Sequence, residues 1–90
     1  MDFEWDAGNT GHIGRRGLTA AEVEEAVRDP RRRSGGFDIR RGERRGVLLG
    51  ETRSGRVLVI VFAYRANRLR VVTAYPATGR HLRRYRRAER

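Results

Sequence analysis

Ninety residues suffice for one domain with a modest core and leave no room for a separate regulatory one. The absence of cysteine excludes a disulfide framework, a thiolate metal site and a cysteine nucleophile, and one histidine in each half argues against a multi-histidine metal site; no apolar run approaches the roughly 20 residues of a membrane span, and the opening Met-Asp-Phe-Glu lacks the basic and apolar regions of a signal peptide, so a cytoplasmic protein is expected. Every lysine-or-arginine position is arginine, and the charge is one-sided: from Pro30 onward 18 Arg face four acids, a net of +14, whereas the first 29 residues carry a net of −4.

Asp2–Asp6 alternates polar and apolar residues with Phe3 and Trp5 on one face, which predicts a short strand. Asp6 can cap a helix running through Asn9, His12 and Arg16 and stopped by Gly17. Gly8, Gly11 and Gly14 weaken that helix and line one side of it, open to close approach from outside. Thr19-Ala20-Ala21-Glu22 is a capping box, and the helix it opens places Ala20, Val23, Ala26 and Val27 on one face before Asp29-Pro30 ends it. Arg31–Gly36 reads as a basic, glycine-bearing loop.

Three strands are expected next. The first is broken, with a short piece at Phe37–Arg40 and its continuation at Arg44–Glu51. A turn at Arg53-Ser54-Gly55-Arg56 leads into Arg56–Tyr64, apolar on both faces and therefore central in a sheet. Arg65-Ala66-Asn67 turns the chain into Arg68–Tyr75, where Leu69, Val71, Thr73 and Tyr75 point one way and Arg68, Arg70, Val72 and Ala74 the other. After Pro76, Thr78 caps a last helix with Leu82 and Tyr85 three apart and arginine at 80, 83, 84, 86, 87 and 90. The fold class is α+β: a small antiparallel sheet built from a short N-terminal strand and a three-stranded meander, with helices on one face and the other face open.

Arginine's planar fork matches phosphate oxygens two at a time, so a dense arginine field beside an acidic end points to a polyanion, RNA foremost. A GC-rich genome accounts for the missing lysine but not for the excess of base or its placement. Cleavage of RNA by its own 2′-hydroxyl needs a base, a cation in fixed geometry and an acid. Arg70, mid-strand, is the first candidate for the phosphate clamp. His12 suits the base or acid, since imidazole ordinarily titrates near neutrality; His81 suits it less. Tyr75 and Tyr85 could stack or donate a proton, Trp5 could stack, Asn9 could orient His12 or a ribose, and Arg16, Arg80, Arg83 and Arg84 could contact the backbone. Each has a plainer alternative: a solvated arginine for Arg70, a structural His12, a packed Trp5, a core Tyr85, and an Asn9 that caps or bridges backbone groups.

The string Phe3-Glu4-Trp5-Asp6, then Asn9, His12-Ile13, Arg15 and Gly17, resembles the opening of the BrnT family of ribonuclease toxins, and Arg70–Thr78 with the Arg-rich helix and Tyr85 resembles its end. The resemblance implies a RelE-like fold, metal-independent RNA cleavage that stops translation, no cofactor, and neutralisation by a cognate antitoxin, BrnA-like or otherwise, through which operator DNA would be bound. Two positions depart from the pattern: Arg16 stands where many members carry His, and His81 stands near an acid often found at the start of the last helix. A non-catalytic nucleic-acid-binding or antitoxin-binding module of the same fold is the alternative.

Overall fold

A computed structural model describes residues 2–87, apart from the side chains of Asp38 and Arg40; the arginine expected at position 90 lies outside the described residues. The elements run β1 (Phe3–Glu4), α1 (Ala7–Gly14), α2 (Ala20–Val27), β2 (Arg33–Arg40), β3 (Glu43–Glu51), β4 (Val57–Arg65), β5 (Arg68–Pro76) and α3 (Gly79–Arg87). They form the expected α+β layout around a five-stranded sheet of order β1-β5-β4-β3-β2, with β4 central.

The starts of α1 and α2 follow from local chemistry. The Asp6 side chain accepts from the Asn9 N–H while Asn9 Oδ1 accepts from the Asp6 N–H, and Thr19 and Glu22 make the same reciprocal pair. Gly17, at φ +76°, takes the left-handed conformation that stops the first helical segment.

The meander has four strands rather than three. Arg41 and Gly42 both take positive φ (53° and 77°), which closes a two-residue turn between Arg40 and Glu43, so the broken strand is a hairpin. The basic stretch Arg31–Gly36 is likewise only a loop at its start: β2 begins at Arg33, and its glycines accommodate a bulge between Ser34 and Gly36. β1 adds in parallel to β5, pairing Phe3 with Leu69 and Glu4 with Arg70, so the sheet is mixed.

Two apolar clusters lie on opposite faces. Ile13, Val23, Ala26, Val27, Leu58, Ile60, Leu69, Val71 and Ala74 pack beneath α1 and α2. Leu49, Val57, Val59, Ala77 and Tyr85 pack beneath α3, with Tyr75 and Leu82 at their margin. The expectation that all helices share one face is therefore corrected: α3 covers part of the face expected to be open. Tyr85 and Leu82 anchor it there, because an Arg-rich helix can stay folded only by burying its few apolar residues.

The expected side-chain alternation of β5 is corrected as well. Val61 pairs with Thr73 but the next residue, Phe62, pairs with Val71, which leaves Val72 as an extra residue. This bulge reverses the alternation. Leu69 and Val71 share the α2 face with Ala74, whereas Thr73 and Tyr75 join Arg70 on the α3 face.

Tyr85 is fully buried, and its hydroxyl donates a short hydrogen bond to Asp29 Oδ2. Asp29 also accepts from the N–H groups of Arg31 and Glu51, tying the end of α2 to β3 and α3. Burial alone would raise the Asp29 pKa, but these donors outweigh it and hold it below its ordinary 3.8. Burial first, and then the Asp29 carboxylate, push the Tyr85 phenol well above its ordinary 10.0. The signs set a stability window. A depressed Asp29 contributes stability above about pH 3.8 that is lost as pH falls through the lower folded value; a raised Tyr85 contributes stability below about pH 10 that is lost as pH rises beyond it. Tyr85→Phe is expected to cost about 1.5–3 kcal/mol at neutral pH and to flatten the alkaline limb, read from denaturant midpoints across pH.

Candidate nucleic-acid interface

The α3 face of the sheet brings Arg70, Thr73 and Tyr75 onto one surface. Along β4 the residues on this face are Val57, Val59, Val61, Ala63 and Arg65; their partners on β5 are Tyr75 beside Val59, Thr73 beside Val61, and Arg70 beside Ala63. α3 covers the end near Val57. At the other end a groove of about 260 Å³ opens, lined by Gly8, Asn9, His12, Glu43, Arg45, Arg65, Arg70 and Val72.

Arg70 is fixed from both sides. Its Nη1 donates to Glu4 Oε2 at 2.8 Å and to Asp6 Oδ2 at 2.7 Å, and Nη2 lies 3.4 Å from Asp6 Oδ1. The parallel pairing of Glu4 with Arg70 and the cap position of Asp6 aim both carboxylates at one guanidinium. The hydrogen bond from Arg70, with help from the Asn9 N–H, holds the Asp6 carboxyl below its usual range. With a side chain only 19% exposed, Arg70 is held rather than solvated.

A second charged group faces it across the groove. Arg65 donates to Glu43 Oε2 at 3.3 Å, and this bond keeps the Glu43 carboxyl below its usual range. Arg45 Nε lies 3.5 Å from Glu43 Oε1, yet among the described residues that buried donor has no partner in hydrogen-bonding geometry, and neither has the buried Thr73 hydroxyl.

Of the residues named from sequence, His12, Asn9 and Arg70 share the groove. Arg16 sits on the same side, its guanidinium 5.3 Å from the centre of the Tyr75 ring, so a cation and an aromatic extend the surface from α1 towards α3. Asn9 is buried, and the plainer of its readings holds: its amide donates to the Glu4 and Val71 carbonyls where β1 stops pairing with β5. It thereby pins α1, and with it His12, to the sheet edge.

Two of the aromatic candidates stand apart from the groove. Trp5 packs against the core on the α2 face and donates from Nε1 to Glu24 at 2.8 Å, so it does not reach the groove. Tyr85, enclosed and bonded to Asp29, presents no surface for stacking or proton transfer.

The α3 arginines stand elsewhere on the molecule. Arg80, Arg83 and Arg84 line, with His81, Arg87 and Gly35, a hollow of about 440 Å³ with no acid among its described lining residues. Arg84 Nε also donates to the Ser34 carbonyl at 3.2 Å, holding α3 against the start of β2. Two of the arginine groups differ in balance: Arg45, Arg65 and Arg70 lie beside carboxylates in the groove, whereas no acid is among the described residues lining the hollow of Arg80, Arg83, Arg84 and Arg87, and Arg86 on the same helix lies 3.7 Å from Glu51.

Sequence reading missed Arg45, Arg65 and Glu43. Their signal is the alternation Glu43, Arg45, Val47, Leu49, which becomes informative once β3 is set beside β4. Among the described residues no three His, Asp or Glu side chains are grouped to hold a metal ion, and no helix is long and apolar enough to cross a membrane.

Residues 5–81 match the model of a family described as the ribonuclease toxin BrnT of type II toxin–antitoxin systems. No curated protein matches the chain.

Proposed function

The chain belongs to the BrnT family of ribonuclease toxins of type II toxin–antitoxin systems, and from that premise we propose that it is a cytoplasmic, metal-independent endoribonuclease that blocks translation by cutting RNA at the groove between α1 and β5. The observation that carries this reading is the convergence of His12 and Arg70 in one groove with Arg45 and Arg65. Arg70 holds the scissile phosphate. A guanidinium has five N–H donors, so its contacts with Glu4 and Asp6 orient it without exhausting it. His12 takes the 2′-hydroxyl proton while water protonates the leaving 5′-oxygen, or His12 protonates that oxygen while water takes the 2′-hydroxyl proton. As the 2′-oxygen bonds to phosphorus and the 5′-oxygen bond breaks, the phosphorane's extra charge meets a cation already in place. Tyr75, with Arg16 over its ring, supports the neighbouring nucleotide.

The test is direct. Incubation of the purified chain with an RNA oligonucleotide is expected to give products with 2′,3′-cyclic phosphate ends, and a single 2′-deoxy substitution should block cleavage at that position. Cleavage that tolerates the 2′-deoxy sugar would contradict this chemistry.

Arg80, Arg83, Arg84 and Arg87 of α3 are the RNA-docking surface in this reading. If Arg80, Arg83, Arg84 and Arg87 each neutralise one phosphate of a single strand, log K should fall against log salt with a slope of about −3. Replacing Arg80, Arg83 and Arg84 with Ala should make that slope shallower by about 2, measured by filter binding.

One observation favours a second reading. The ties of Arg70 to Glu4 and Asp6 also suit a purely structural bridge, as expected of a non-catalytic module that binds RNA or an antitoxin. RNA binding without cleavage would select it. Whichever reading holds, a cognate antitoxin, BrnA-like or otherwise, is the expected protein partner, and operator DNA would be reached through it.

A further inference from the structure

The α2 face of the sheet is only partly covered. α2 packs on β3 and β4, and the apolar surface continues beyond it onto β2. There Phe37, Ile39 and Tyr64 are 65%, 66% and 62% exposed, while the other large apolar side chains of the described residues are not exposed to this degree. A hollow of about 650 Å³ runs through this region, with Phe37, Leu48, Phe62 and Tyr64 along it and Arg32, Arg33 and Arg44 at its rim. Its floor is flattened by Gly46, where a Cβ would stand 2.5 Å from the Phe62 ring. Exposed apolar patches with a polar rim mark interaction surfaces.

We propose that this face is the seat of the protein antitoxin, and that the antitoxin supplies an acidic segment whose apolar side chains cover Phe37, Ile39 and Tyr64. The inference rests on family membership and not on the catalytic assignment, because the patch lies on the opposite face from the His12–Arg70 groove. Charge selects the occupant. A second copy of this chain would bring its own arginine rim against this one, whereas an acidic segment meets Arg32, Arg33 and Arg44 with opposite sign. Side-chain arrangement argues against RNA. Phe62 and Tyr64 meet edge to face, and Ile39 and Leu48 offer no π surface on which a base could stack. Binding on this face leaves the groove unobstructed by direct contact, so neutralisation would come from the bulk of the antitoxin or from segments extending beyond the patch.

The probe is the protein encoded by the reading frame adjacent to this gene, titrated calorimetrically into the purified chain. Phe37→Ser/Ile39→Ser is expected to weaken binding at least 100-fold while cleavage of an RNA oligonucleotide by the free variant stays at the wild-type rate. Arg44→Glu should weaken binding about tenfold or more by reversing the rim charge. Both substitutions fall on exposed positions, and thermal melting verifies that each variant is folded. Unchanged affinity in the folded double variant overturns the proposal. So does loss of RNA affinity with antitoxin affinity intact, which makes the patch an RNA face, and so does a wild-type dimer in sedimentation that the double variant abolishes, which makes it a self-contact. A wild-type chain that fails to cut RNA but passes the affinity tests defeats the catalytic reading alone.

Discussion

Arg70→Ala is expected to reduce RNA cleavage by roughly 10²–10³-fold, the range found when one preorganised charge-stabilising donor is removed from an active site. Induction of the wild-type chain should arrest bacterial growth, and the variant should relieve the arrest. The ties of Arg70 to Glu4 and Asp6 make the control essential, since its removal leaves two carboxylates side by side at the start of α1. The triple variant Arg70→Ala, Glu4→Gln, Asp6→Asn removes that repulsion, and asparagine at the cap position preserves the helix start. If Arg70 acts on phosphate, the triple variant folds as well as wild type and remains inactive. Recovery of cleavage in the triple variant would show that Arg70 is only a bridge.

Much of the fold was legible because its causes are local. The Thr19–Glu22 box, the cap at Asp6, the stop at Gly17 and the turn before Arg68 each depend on a few neighbouring residues. β4 was legible because a strand apolar on both faces has to be central. What stayed hidden depends on register. The bulge at Val72 carries Tyr75 to the face of Arg70, and nothing in the alternation of Arg68–Tyr75 announces an unpaired residue. The hairpin at Arg41-Gly42 was concealed because arginine, unlike glycine, gives no sign of a positive φ. The bonds of Arg70 to Glu4 and of Tyr85 to Asp29 span 66 and 56 residues, and only the assembled sheet brings them within reach. For the site, residue chemistry pointed to Arg70 and His12, which share the groove. It could not separate them from Trp5, which turns to Glu24 on the α2 face, or from Tyr85, which is fully buried.

Gly50→Ala is expected to be the most damaging single methyl addition in the chain. A Cβ at Gly50 would stand 2.0 Å from the Ala26 carbonyl oxygen and 2.8 Å from its carbon. The clash is with helix backbone, which cannot rotate aside as the Phe62 ring opposite Gly46 can. α2 therefore has to lift from β3, and Val23, Ala26 and Val27 lie on the face that would lose its contact. Overpacking a core ordinarily costs about 1–3 kcal/mol, and a backbone obstruction belongs at or above the top of that range. Against a total stability of roughly 5–15 kcal/mol for a domain of this kind, such a loss is a large fraction. Gly50→Ala should lower the urea midpoint steeply with an unchanged m-value, and Gly50→Val should leave no cooperative transition. Gly11→Ala, where nothing lies within 4 Å of the added Cβ, is the matched control, expected to be neutral or stabilising because alanine is the better helix former. Equal midpoints for Gly50→Ala and wild type would mean that α2 does not press on β3 at this point, and the close helix–sheet contact that organises the whole α2 face would be wrong.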